Sequence, residues 1–184
     1  MKKLLISGLV IITTASAIAQ GSVNFNNNVF GTNALVYWDY GGANIPLVGT
    51  NFVAELWAGV HQSSLTPVSG SISQFRETPT TSPGTWRGKT LGLPLGGLFV
   101  PITLQVRVWD VSLYPSFETA AAAGYAASSI PFTYIQGFTD PPSPRDFFMY
   151  GLTPFGFGVP EPSTIFLGLL GAGALLLRCR KRMF

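Results

Sequence analysis

Three carboxylates and one imidazole are the side chains of this chain whose type and context could support acid–base chemistry. Asp39, Glu55 and Asp110 each lie beside a tryptophan, in Trp38-Asp39, Glu55-Leu56-Trp57 and Trp109-Asp110. A glycan hydrolase needs two such carboxyls about 5–9.5 Å apart across a sugar. A blander reading competes with it. Asp39 and Asp110 close apolar runs, where Asp favours turns, and Glu55 takes the outward strand position between Val53 and Trp57. His61 is the only histidine and sits in the turn-like run Gly59-Val60-His61-Gln62-Ser63-Ser64. With no Gly-x-Ser-x-Gly elbow in the chain, it reads as a solvated loop residue. Cys179 is the only cysteine, which excludes an internal disulfide framework and a Cys-based zinc site. The glycine-rich run from Gly92 to Gly97 lacks the Lys of a phosphate-cradling loop and reads as a turn. No catalytic residue, cofactor or metal is expected. Trp57 and Trp109 are the candidate glycan contacts, because both fall opposite the most apolar neighbours of their strands.

The elements that must position these residues follow from composition. Residues 20–158 hold 17 of the 21 glycines and 12 of the 14 prolines, a density that long helices do not tolerate. Residues 102–109 give the clearest strand: Ile102, Leu104, Val106 and Val108 alternate with Thr103, Gln105 and Arg107. Further strands are expected at 22–25, 34–39, 52–58, 130–135 and 147–152. A turn is expected at Asn26-Asn27-Asn28, and one turn chemistry used twice at Gly31-Thr32-Asn33 and Gly49-Thr50-Asn51. Loops are expected at 78–84 and 139–144. One helix is expected over 115–124, with Pro115 in its first turn, Glu118 on its dipole and Gly124 as its stop. The fold class is therefore all-β: a single β-sandwich-like domain with one short helix.

The two ends differ from this body. The chain carries +3 formally and has a pI near 9.2, with mean hydropathy +0.35. Residues 20–158 nevertheless hold five basic and seven acidic residues, a net −2. The positive charge sits at the ends and forms no patch on a domain, so nucleic acid is not an expected partner. Residues 1–19 read as a signal peptide, with Lys2 and Lys3, an apolar run over 4–12, and Ala17 and Ala19 placing cleavage before Gln20. At the other end stand Val159, Pro160, Glu161, Pro162, Ser163 and Thr164. An apolar run over 165–177 follows, and then the tail Arg178-Cys179-Arg180-Lys181-Arg182. The prolines hold an exposed, extended peptide, and Ser163 or Thr164 can cap a helix over about 163–177. That length makes a thin membrane span, with the basic tail 178–184 on the cytoplasmic side.

At residues 159–184 the chain resembles the PEP-CTERM sorting signal of Gram-negative bacteria: a Val-Pro-Glu-Pro-Ser/Thr motif, a short hydrophobic helix and an arginine-rich terminus. Residues 51–59 and 106–110 are loosely similar to bodies carried by other such proteins, which brings no activity with it. The resemblance implies processing by an exosortase acting at Pro160-Glu161-Pro162. The partners it implies are the Sec machinery and signal peptidase, the exosortase, and the inner membrane at least transiently. The final location implied is the cell surface or extracellular matrix. On this reading the protein is an exported, sorted surface or matrix protein without catalysis of its own. The alternatives are a carbohydrate-binding module holding exopolysaccharide through Trp57 and Trp109, and a glycan hydrolase using two of Asp39, Glu55 and Asp110.

Overall fold

A computed structural model describes residues 21–158 apart from 30–31, 41–42, 96, 138–142 and 144–146. The signal peptide, the sorting tail with Cys179, and all of the 139–144 loop except Ser143 lie outside the described residues. Among the described residues, no helix is long and apolar enough to cross a membrane.

The elements are strands with one six-residue helix. In chain order they begin with β1 (Gly21–Phe25), β2 (Asn28–Val29), β3 (Thr32–Asn33), β4 (Val36–Tyr40), β5 (Ala43–Pro46) and β6 (Phe52–Gly59). Then come a 3-10 turn (Gln62–Ser64), β7 (Thr66–Pro67), β8 (Ser73–Gln74), β9 (Lys89–Leu93) and β10 (Pro101–Asp110). The helix α1 (Phe117–Ala122), β11 (Ala126–Ser128), β12 (Phe132–Ile135) and β13 (Phe155–Gly158) complete the order. The alternation read over 102–108 becomes the spine. β10 pairs antiparallel with β6 from Thr103↔Gly59 to Asp110↔Phe52. β11 and β12 extend the far edge of β10, while β7 and β8 extend that of β6. β1 pairs with β9, β2 with β3, and β4 lies between β5 and β13.

The inner face of the spine (Leu56, Leu104, Val106) shares one core cluster with Val23 of β1, Leu93 of β9 and Phe157 of β13. The β1–β9 pair and the sheet of β5, β4 and β13 thus cover one face of the main sheet. Trp86 is fully buried at the centre of this core, with Phe25 at 4.9 Å and Phe75 at 5.9 Å between ring centroids. Its indole N–H donates to Phe25 O at 3.2 Å.

Several expectations change. Residues 147–152 form a turn and not a strand: Leu152 N–H closes on Met149 O at 3.0 Å, and only Asn24↔Phe148 makes a bridge. The apolar run is real, with Met149 and Leu152 buried, but burial there comes from a turn folded over the sheet. A Cβ on Gly151 would stand 2.9 Å from the Phe132 ring. The strand falls instead at β13, whose pairing with β4 is parallel. The helix starts later than expected. Ser116 is its N-cap, accepting from Thr119 N–H, which leaves Pro115 outside, while Gly124 ends it at φ +78°. The two Gly-Thr-Asn triplets also diverge, since Thr32–Asn33 is strand β3 whereas Gly49 turns at φ +113°. Asn27 is not a solvated turn residue. It is fully buried, and its amide donates to Ala34 O at 2.8 Å and Gly84 O at 2.9 Å.

Candidate functional site on the outer sheet face

The register of β6 against β10 sets the outer face in rows: Gln105 opposite Trp57, Arg107 opposite Glu55, and Trp109 opposite Val53. Side chains directly across an antiparallel pair are close enough to interact, and here they form a network around Arg107. Its guanidinium lies 3.5 Å from the Trp57 ring centroid and 4.7 Å from that of Phe117. Trp57 Nε1–H donates to Glu55 Oε2 at 2.8 Å, and Arg107 Nε–H donates to Gln105 Oε1 at 3.2 Å. Glu118, in the first turn of α1, approaches Arg107 at 3.8 Å but is 63% exposed. That pair is worth at most about 1 kcal/mol. The cation's larger contribution is its stacking between two rings.

Burial raises the Glu55 carboxyl above its ordinary value. The Trp57 hydrogen bond opposes this, the Glu118 charge adds to it, and Arg107 opposes it again. Burial lowers Arg107 from its usual value, against the pull of Glu118 and Glu55. A carboxyl raised on folding binds more protons in the native state than in the unfolded one. Its contribution is therefore fully present below the unfolded value and is lost as pH rises through the folded one. Urea midpoints measured between about pH 4 and pH 7 should fall with pH in wild type, and Glu55→Gln should flatten that slope. An unchanged slope would assign the effect to another group.

The network answers the sequence candidates one by one. Trp109 does fall on the outer face, but α1 covers that end of the sheet. Trp109 is 2% exposed and clusters with Val53 and Ala120, so no sugar reaches it. Trp57 stays partly exposed, with one ring face taken by Arg107. The glycan-contact assignment is thereby corrected for Trp109. Asp110 and Glu55 occupy alternate faces of the main sheet, three register positions apart. Asp110 is occupied in closing the strand: it accepts from Asn51 Nδ2 at 2.7 Å and from the Ser112 amide at 2.8 Å. Asp39 lies in β4, in a different sheet, opposite Asn44 and Gly158. The structure therefore does not join Glu55 and Asp110 as a catalytic pair. His61 is exposed at the head of the 3-10 turn, as its context indicated. Among the described residues, no three of His, Cys, Asp and Glu stand together to hold a metal.

The residues missed at the sequence level were Arg107, Phe117 and Glu118. Each had an ordinary local explanation, as a polar strand position or a helix turn, and only the strand register and the placement of α1 bring them together.

The last element of the body, β13, ends at Gly158, immediately before Val159 and the prolines. No curated protein and no solved structure matches the chain. Residues 158–182 match the family model described as the PEP-CTERM protein-sorting motif, and the chain carries that motif at its C-terminal end.

Proposed function

We propose that this protein is exported, recognised at its C-terminal motif by an exosortase, and delivered to the cell surface or extracellular matrix, where its sandwich-like body acts without catalysis of its own. The single observation that carries this reading is the sorting motif over 158–182, which joins the Pro160-Glu161-Pro162 peptide to the apolar run and the basic tail. Each part has a physical role. The prolines keep the peptide extended and accessible. The apolar run holds the chain in the inner membrane. Arg178, Arg180, Lys181 and Arg182 keep the far end cytoplasmic, which leaves the body outside. Residues 1–19, cut before Gln20, supply the export step through the Sec machinery and signal peptidase. In support, Glu55 is engaged by Trp57 and Asp110 by Asn51 and Ser112, and these two carboxylates stand on alternate faces of the main sheet.

Intact mass of the surface-extracted protein tests the reading. Wild type is expected to start at Gln20 and to lack residues 178–184, whereas a Pro160→Ala/Glu161→Ala double variant should keep the tail and stay in the inner membrane. Wild-type protein that retains Arg178 through Phe184 at the surface would reject processing in favour of a permanent anchor.

A further inference from the structure

The outer face continues past Val53 into a second feature unrelated to the arginine network. β8 pairs with β6 so that Gln74 stands opposite Val53, and Arg87 N–H in turn donates to Gln74 O at 2.9 Å. Trp109, Val53, Gln74 and Arg87 therefore form one row across four neighbouring segments. Ser73 Oγ–H donates to Arg87 O and fixes the same segment from the other side. Beside this row lies an open groove of about 510 Å³, lined by Val53, Ile72, Gln74, Arg87, Lys89 and Val111 among others. That volume falls within the usual range for a small-molecule site.

The lining has two chemistries. Val53 forms an apolar floor, and Ile72 and Val111 are exposed hydrophobic walls, at 51% and 41%. Opposite them stand two cations with no acid among the lining residues. The Lys89 ammonium is held by Gly70 O at 3.1 Å and Ile72 O at 2.6 Å, which positions it and leaves the third of its donors unspent. Arg87 differs from the other described basic residues, because its guanidinium has no hydrogen-bond or ion-pair partner among the described residues. Arg76 donates to Thr85, and Arg107 is stacked and paired. An unspent guanidinium fork beside an ammonium matches a carboxylate, which it can hold through two parallel hydrogen bonds.

We infer that this groove binds a carboxylate carried on a short aliphatic body, with the acid at Arg87 and Lys89 and the aliphatic part on Val53, Ile72 and Val111. The absence of any aromatic side chain from the lining favours an aliphatic body over a stacked sugar ring.

Titration calorimetry on the purified full-length chain tests this with three probes. Hexanoate should bind saturably. Hexanamide, the same body without charge, and glucuronate, the same charge on a hydroxylated ring, should each bind about tenfold or more weakly. Arg87→Gln should weaken hexanoate by a similar factor, and Val111→Glu, which sets a like charge on the rim, should do the same. Both positions are exposed, so circular dichroism of both variants should match wild type. No saturable hexanoate binding, hexanamide or glucuronate binding as tightly as hexanoate, or wild-type affinity in both variants would each overturn the assignment.

Discussion

Trp86→Ala is expected to cost about 3–5 kcal/mol, because it removes a large side chain that the core cannot close around. The Trp86 ring is fully buried between Phe25 and Phe75, which belong to different parts of the chain, so neither neighbour can move in without leaving its own position. The same substitution strips Phe25 O of the indole N–H that reaches it at 3.2 Å. A whole domain is stable by only about 5–15 kcal/mol, so this variant should sit close to half-unfolded in mild denaturant. Trp86→Phe keeps a ring between the other two and loses the hydrogen bond with part of the volume. It should cost roughly 1–2 kcal/mol. Urea unfolding followed by far-ultraviolet circular dichroism separates the two. Equal losses in both variants would place the energy in the indole hydrogen bond and not in ring packing.

The central pair of strands was legible because its signal is local. Ile102 through Val108 alternate so regularly that one buried face is the only consistent solution, and Phe52 through Ala58 supply its partner. The short helix was legible for a similar reason, since Glu118 and Gly124 mark its ends within a few residues, although Ser116 and not Pro115 opens it. What the sequence did not disclose depends on partners far apart in the chain. Phe155 and Phe157 join β4, more than a hundred residues earlier, in a parallel pairing that no nearby turn announces. Residues 147–152, expected as a strand, form a turn instead. Strand parity puts Trp57 and Trp109 on one face of the main sheet. The cover over Trp109 was not legible, because a six-residue helix supplies it, and the cation on one face of Trp57 comes from the neighbouring strand.

Charge shows the same division. The chain's formal +3 belongs to its ends, and the body between them carries a net −2. Within that body the described cations are used individually. Arg107 is stacked on two rings, Arg76 is bound to a hydroxyl, Lys89 is held by two carbonyls, and Arg87 is left for a ligand. A count of basic residues points toward a polyanion. Their placement points to one small anion site beside the Arg107 network of the outer face.

Asn27 sits at the position where local chemistry was most misleading, and its replacement should rank second in cost. Three consecutive asparagines look like a solvated turn, and Asn26 does behave that way, accepting from Asn28 N–H at 3.0 Å. Asn27 instead turns inward, where its amide donates to Ala34 O and Gly84 O and its oxygen accepts from Trp86 N–H at 3.4 Å. In Asn27→Ala, Gly84 O keeps the Val36 amide at 3.0 Å. Ala34 O and Trp86 N–H lose the partner that Asn27 supplies. An orphaned Ala34 O at about 1–3 kcal/mol and the longer, weaker bond lost at Trp86 N–H, about 1 kcal/mol, give an expected loss of about 2–4 kcal/mol, with little dependence on pH. Asn27→Asp tests the donor role directly. Its shape is the same, but an ionised carboxylate directs negative charge at two carbonyl oxygens in a buried site, so its folded value must rise. The variant should therefore lose more than Asn27→Ala at neutral pH. It should recover as pH falls through the raised folded value toward the unfolded one near about 3.9. Urea midpoints of the two variants across that range should converge at acid pH and separate above it. Parallel curves would mean that the amide at residue 27 is not the donor to those two carbonyls.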